Sequence, residues 1–237
     1  LAVVHPAAGN IGGGGFMVIR LADGIVTTID FREVAPSGAY RDMFLDDSMN
    51  VISGKSLHTS WAAGVPGSVA GFGMAHEKYG NTKWKNLVRP AAELAINGFP
   101  LDFQNMSYLN YPYFKGYLSN DQKTKKIFVK SDSYELNEKF IQNDLGKTLQ
   151  RIADSGWQEF YTGKTSDMIE KCMQRTDGLI TKEDLQNYRA IERNPITFQY
   201  RGYEVHSMPP ASSGGIAIAG ILNQLEKDGA IPMPCAG

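Results

Sequence analysis

The feature that most limits how this sequence can fold is a run of four consecutive glycines, Gly12 to Gly15, which leads into an apolar segment. Without Cβ atoms, the backbone of such a run can adopt positive φ angles or lie against another group at a distance that no side chain would allow. The run therefore predicts a place where another part of the molecule packs against the main chain, or where a ligand binds to it.

Two strands are predicted directly after the glycine run. Phe16 to Leu21 and Ile25 to Phe31 read as strands, and the Asp23-Gly24 pair between them suits a tight hairpin turn. The hairpin brings the chain to the segment Asp30 to Pro36, in which Pro36 ends the second strand.

Arg32 is the candidate binding residue in this segment. Because side chains two residues apart share a face of a strand, Arg32 lies on the same face as Asp30, where the strand ends. Strand ends and the loops beyond them commonly carry binding groups, and a guanidinium recognises a carboxylate through two parallel hydrogen bonds. These residues alone leave two interpretations: Arg32 binds a carboxylate, or it pairs with Asp30 or Glu33 at a wet surface.

Composition narrows the class of ligand. The chain has 237 residues, enough for one large domain, with 24 Lys and Arg against 25 Asp and Glu. This balance gives no long-range field that favours a nucleic acid or a membrane surface, so we expect a small ligand. The sequence contains no run of eighteen apolar residues, the pattern that would predict a membrane span. Cys172 and Cys235 are too few and too far apart to predict a disulfide framework, and they leave the compartment undecided.

Metal chemistry is not predicted. His76 and Glu77 resemble the start of a zinc-binding helix, but the second histidine of that motif would be at position 80, which is glycine. Asn105 begins an Asn-Met-Ser glycosylation sequon, a pattern that also occurs by chance.

Apolar spacing predicts several helices and a second hairpin. A helix from Ser68 ends at Gly80, and another uses Leu87 to Ala95 with Pro90 near its first turn. The later elements are two amphipathic helices using Leu145 to Ile152 and Met168 to Met173, a capping box at Thr181 and Asp184, a hairpin across Arg201-Gly202, and an apolar helix capped by Ser212 and Ser213. Hairpins interspersed with helices predict the α+β class with a largely antiparallel sheet.

Four segments, in this order, resemble the signature of the γ-glutamyltransferases (γ-glutamyltranspeptidases), which are N-terminal nucleophile hydrolases. They are Gly9 to Met17, Asp30 to Pro36, Val65 to Gly71 and Met208 to Gly215. Together they extend over nearly the whole chain. One departure is Ala211, where the family usually has a third proline, and it puts the local turn geometry in question.

The resemblance implies a fold, a partner and a site. The fold is the four-layer αββα sandwich of N-terminal nucleophile hydrolases, incomplete in this chain. Residues 1–237 form a single domain that is a partial large subunit, truncated at both ends. The nucleophile is the N-terminal threonine of a small subunit cut from the same precursor, so no catalytic residue is expected in this chain. The resemblance also implies that Arg32 grips the α-carboxylate of a γ-glutamyl substrate.

The resemblance further implies no cofactor, no metal, and export to a periplasm or to the outside of the cell. Two alternatives stay open. One is a related N-terminal nucleophile acylase or polyglutamate-cleaving enzyme, and the other is a non-catalytic scaffold of the same fold.

Overall fold

The computed structural model describes residues 1–6 and 10–227. Gly9 and Cys235 lie outside the described residues. The described strands are β1 (Phe16–Arg20), β2 (Val26–Asp30), β3 (Phe99–Pro100), β4 (Lys139–Phe140), β5 (Ile191–Arg193), β6 (Ile196–Tyr200) and β7 (Tyr203–Ser207). The described α-helices are α1 (Lys55–His58), α2 (Ser68–Tyr79), α3 (Trp84–Asn97), α4 (Phe103–Asn110), α5 (Pro112–Leu118), α6 (Gln122–Phe128), α7 (Asn143–Ser155), α8 (Glu159–Thr162), α9 (Lys164–Arg175), α10 (Lys182–Asn187) and α11 (Gly214–Lys227).

The main sheet has three antiparallel strands in the order β1-β2-β5. The predicted first hairpin is confirmed, with Phe16 opposite Asp30 and a turn in which Gly24 has a φ of 94°. Strand β5 pairs with the other edge of β2, where Asp30 faces Ile191. This pairing brings the segment near residue 190 beside the end of β2, which is where Arg32 begins the following loop.

The predicted second hairpin is also confirmed. Strands β6 and β7 pair from Ile196 opposite Ser207 to Tyr200 opposite Tyr203. The turn residues Arg201 and Gly202 both have positive φ, which matches the twist of the strands that they join. Helix α11 packs against this hairpin.

The apolar core forms two clusters. The first surrounds the end of β2 and includes Ile29, Phe31, Val65 and Leu185, all buried. The second lies around α3 and α7 and includes Ala92 and Ala95. The partly buried Ile11 and Val88 pack against both clusters and so connect them.

Helix α3 corrects one prediction. Pro90 was expected near the first turn, but the helix begins at Trp84, so Pro90 lies in its interior. The ring there removes the N–H that would bond the carbonyl of Asn86. The extra first turn is held by tertiary structure, because the Trp84 indole nitrogen donates to the carbonyl of Ile152 on α7 at 2.8 Å.

Other predicted helix ends are confirmed. Helix α2 ends at Tyr79 before Gly80, and the capping box of α10 joins Thr181 and Asp184 in both directions. The mixture of helices with antiparallel strands confirms the α+β class. Within the part of the chain that the structure describes, no helix is both long enough and apolar enough to cross a membrane.

Candidate functional site

Arg32 lies at an open cleft just beyond the end of β2. Its side chain is exposed, and its guanidinium carbon is 6.0 Å from the centre of the Phe16 ring. Among residues 1–6 and 10–227, no ion pair or hydrogen bond engages this guanidinium. The cleft has a volume of about 470 Å³ and is lined by Gly12, residues 32–36, Ala39, Met43, Phe44 and residues 61–64. A residue with an unpaired cationic side chain therefore lines a space large enough for a small molecule.

Asp30 is occupied by partners other than the Arg32 side chain. Its carboxylate is 7% exposed and lies 2.8 Å from Nε of Arg193, while its other oxygen accepts the main-chain N–H of Arg32 at 3.0 Å. Glu33 also forms no ion pair with Arg32 in the described part of the chain. Within the described residues, the Arg32 side chain therefore forms neither of the two pairings considered from the sequence, and Asp30 pairs with Arg193 instead.

The glycine run packs against the backbone beneath Arg32. The main chains of Gly15 and Phe31 exchange two hydrogen bonds, at 3.0 and 3.3 Å, and a Cβ atom on Gly14 would lie 2.6 Å from the carbonyl oxygen of Phe31. The carbonyl of Gly13 accepts the N–H groups of Gly67 and Ser68, which begin α2. The run thus provides the close main-chain packing that its composition predicted.

The segment Val65 to Gly71 reaches the same place from the other side. A Cβ atom on Gly67 would lie 2.1 Å from the Phe31 carbonyl oxygen and 2.0 Å from the Tyr188 hydroxyl oxygen. A Cβ atom on Gly71 would lie 2.2 Å from the Phe31 ring. Three of the four resemblance segments therefore converge on the strand end that carries Arg32.

Tyr188 adds a contact that the sequence did not predict. Its hydroxyl donates to the carbonyl oxygen of Arg32 at 2.9 Å, and its ring stacks on Tyr161 with centres 5.7 Å apart. Burial raises the pKa of the Tyr188 hydroxyl, and the charges of Asp30 and Glu33 raise it further. The hydroxyl therefore stays protonated and remains a donor at neutral pH.

The outer wall of the cleft is aromatic and apolar. Trp61 lies there with Met43 and Phe44, and the ammonium of Lys55 is 3.6 Å from the centre of the Trp61 ring. The indole nitrogen donates to Asp177 at 3.3 Å. These contacts hold Trp61 in the wall of the cleft that Arg32 also lines.

The fourth resemblance segment, Met208 to Gly215, does not line this cleft. Ala211 lies in a turn in which the N–H of Ser212 donates to the carbonyl of Pro209 at 3.1 Å. The Ser212 hydroxyl accepts the N–H of Gly214, the first residue of α11, at 3.3 Å.

Sequence reasoning missed Tyr188, Arg193 and Trp61. Nothing in the pattern of the segment containing Tyr188 and Arg193 indicates that it pairs with β2, and Arg193 and Asp30 are 163 residues apart. Trp61 lies in no motif or periodic segment that indicates a place in the site.

A second, larger cleft of about 720 Å³ lies between the glycine run, α2 and α3. Its walls are mostly apolar, Arg32 is absent from them, and Leu1 to Val4 form one side. Within the described ranges, no three His, Cys, Asp or Glu side chains come together as a group that could hold a metal ion.

Comparison with known proteins gives consistent matches. Residues 1–231 match the family model described as gamma-glutamyltranspeptidase. The chain is 50% identical over 227 residues to the glutathione hydrolase proenzyme of Escherichia coli K12. This alignment covers 95% of the chain and 39% of that protein. This chain therefore spans about two fifths of the length of that relative.

Two solved structures superpose closely on the chain. The crystal structure of Helicobacter pylori gamma-glutamyltranspeptidase has a TM-score of 0.93 at 43% identity and covers 100% of this chain and 67% of that chain. The Pseudomonas nitroreducens gamma-glutamyltranspeptidase complexed with L-DON has a TM-score of 0.89 at 37% identity, and the match covers 100% of this chain and 70% of that chain. These likenesses confirm the predicted N-terminal nucleophile hydrolase fold.

Proposed function

The chain belongs to the gamma-glutamyltranspeptidase family, and we propose that it is part of the large subunit of an enzyme that cleaves γ-glutamyl amides such as glutathione. The name of the Escherichia coli relative, glutathione hydrolase proenzyme, supports this proposal, as does the share of that protein that the chain spans. We further propose that residues 1–237 form one domain, because Ile11 and Val88 pack against both core clusters.

The reacting group is supplied by another polypeptide in this proposal. The precursor cleaves itself, and the new N-terminal threonine of the small subunit attacks the γ-glutamyl amide while its own amine takes the hydroxyl proton. Backbone N–H groups stabilise the tetrahedral oxyanion. The amine leaves with a proton, and the acyl-enzyme then passes its γ-glutamyl group to water, an amino acid or a peptide.

Arg32 contributes substrate binding. The observation that carries the proposal is that Arg32 lines the cleft, that its guanidinium has no hydrogen bond or ion pair among the described residues, and that three family segments support its backbone. A guanidinium binds the α-carboxylate of a γ-glutamyl group through two parallel hydrogen bonds, which positions the reacting amide of the same group relative to the threonine hydroxyl. The ligand is a small molecule and not a nucleic acid, in keeping with a net charge of −1. We place the mature enzyme in the periplasm or outside the cell.

Two alternatives share the scaffold. A related acylase or polyglutamate-cleaving enzyme would keep the fold and change the acyl pocket, and a non-catalytic scaffold would lack a working small subunit. They differ from the proposal in measurable products, so one preparation of the full-length precursor separates all three.

The test is N-terminal sequencing and intact mass of the full-length precursor, followed by activity on three substrates. We expect a second polypeptide that begins with threonine, and faster cleavage of γ-glutamyl-p-nitroanilide than of a cephalosporin or poly-γ-glutamate. A single uncut chain without activity would favour the scaffold. A cut chain that prefers either of the other substrates would favour the related enzyme.

A further inference from the structure

The main chain of Arg32 is hydrogen-bonded on both sides, while its guanidinium forms no hydrogen bond or ion pair with the residues that the structure describes. On the amino side, the N–H donates to Asp30, whose carboxylate is held by Arg193. On the carboxyl side, the carbonyl oxygen accepts the Tyr188 hydroxyl at 2.9 Å. Loops after a strand are ordinarily the mobile parts of a fold, and these two bonds limit the motion of the Arg32 main chain.

The Tyr188 hydroxyl is held in place by the core. Tyr188 is 4% exposed and follows α10, whose last turn it closes by donating its N–H to Leu185. Its ring stacks on Tyr161 with an angle of 11° between the planes. The space for the hydroxyl exists because residue 67 is glycine, since a Cβ there would lie 2.0 Å from the oxygen.

We propose that Tyr188 is a positioning residue for substrate binding, which fixes the main chain of Arg32 so that the guanidinium is aimed into the cleft. The inference rests on the proposed function of Arg32. Tyr188 does not touch the substrate and acts through Arg32. Its hydroxyl bond limits the motion of the Cα atom from which the long arginine side chain extends, and a displacement of about 1 Å at a binding group is costly to a reaction that depends on orientation.

Tyr161 provides a matched control. It is buried in the same apolar cluster as Tyr188, and the two rings stack on each other. The Tyr161 hydroxyl donates to the carbonyl of Pro66 at 2.9 Å and accepts the N–H of Ala70 at 3.1 Å. Neither bond involves Arg32. Tyr161→Phe and Tyr188→Phe therefore both remove one buried hydroxyl, but only the second frees the Arg32 carbonyl.

The experiment measures kcat and KM for γ-glutamyl-p-nitroanilide in the full-length processed enzyme. We expect Tyr188→Phe to raise KM roughly three- to tenfold while kcat changes less than twofold. This rise corresponds to the loss of one hydrogen bond, from the Tyr188 hydroxyl to the Arg32 carbonyl. Tyr161→Phe should leave KM within about twofold. In an Arg32→Ala background, Tyr188→Phe should produce no further rise in KM, because the guanidinium that it positions is absent.

The failures can be told apart. An unchanged KM in Arg32→Ala would remove the proposed substrate contact itself. A raised KM in Arg32→Ala with an unchanged KM in Tyr188→Phe would overturn the positioning role and leave the substrate contact intact. Equal rises in Tyr188→Phe and Tyr161→Phe, or a full additional rise in the Arg32→Ala background, would assign the effect to general loosening of the core and also overturn it.

A second variant tests the proposal if Tyr188→Phe folds poorly. If Tyr188→Phe does not mature, 4-fluorophenylalanine at position 188 fills the space beside Gly67 but cannot donate a hydrogen bond, and we expect the same rise in KM. Incorporation of 4-aminophenylalanine, which restores a donor, should return KM toward the parent value. Failure of the fluorinated variant to mature would assign the hydroxyl to folding and would overturn the proposal.

Discussion

Nε of Arg193 lies 2.8 Å from Oδ2 of Asp30, and this ion pair joins β5 to the end of β2 across 163 residues of sequence. The carboxylate is buried, whereas the Arg193 side chain is 38% exposed. The pair therefore has one partner that water can still reach. It holds the strand end next to Arg32, because the second oxygen of Asp30 accepts the Arg32 N–H.

The first prediction concerns this ion pair. Asp30→Asn should lower the free energy of unfolding by about 1–3 kcal/mol, since it leaves the partly exposed Arg193 without its charged partner. The value is limited because Arg193 can be solvated. Chemical or thermal unfolding of the full-length protein measures it.

The matched control is the exposed pair of Arg41 and Asp42, whose side chains are 93% and 45% exposed. Asp42→Asn should change stability by no more than about 0.5 kcal/mol. Equal effects of the two substitutions would show that the Asp30 pair has no special structural role.

The second prediction concerns Gly67. Gly67→Ala should destabilise the fold by about 3 kcal/mol, because the new Cβ would overlap both the Tyr188 hydroxyl and the Phe31 carbonyl. Gly116→Ala is the control, since a Cβ there meets nothing within 4 Å and the residue lies in α5. That change should stabilise by about 0.5–1 kcal/mol through helix propensity. Similar melting temperatures for the two variants would contradict the close packing described at Gly67.

The third prediction concerns acid stability at the start of α6. Asp121 caps this helix by accepting the N–H groups of Lys123 and Thr124, and it pairs with Arg175 at 2.9 Å. The hydrogen bond from Thr124, followed by that from Arg175, lowers the pKa of Asp121 to about 2. Its stabilising effect is therefore complete above the unfolded pKa of 3.8 and is lost as the pH falls toward 2.

Asp121→Ala tests this sign. It should cost about 1 kcal/mol at pH 7 through loss of the cap. The difference in the free energy of unfolding between the variant and the parent should shrink as the pH is lowered from 4 to 2. Urea unfolding at each pH measures this difference. A difference that stays constant over this range would mean that the charge of Asp121 does not stabilise the fold.

Local patterns predicted the elements well because their causes are local. The two hairpins follow from Asp23-Gly24 and Arg201-Gly202, and the capping box follows from Thr181 and Asp184. Pro90 was misplaced because the first turn of α3 depends on a bond between Trp84 and Ile152, which are far apart in sequence. Tertiary contact decides that helix start, and spacing cannot reveal it.

The difference between local patterns and tertiary contacts also explains which residues of the candidate site could be predicted from the sequence. Arg32 could be selected from its position at a strand end, and the glycine run indicated close packing. Tyr188 and Arg193 could not, because their importance arises from the pairing of β5 with β2. No periodicity links a tyrosine hydroxyl to a carbonyl 156 residues away.

The most direct test of this account is the KM for γ-glutamyl-p-nitroanilide in Arg32→Lys, made in the full-length precursor. Lysine keeps the charge but cannot form two parallel hydrogen bonds, so we predict that KM rises roughly tenfold or more. Arg20→Lys, at the exposed end of β1 and outside the cleft, should leave KM unchanged. A KM in Arg32→Lys equal to that of the parent enzyme would contradict the assignment of Arg32 to substrate binding.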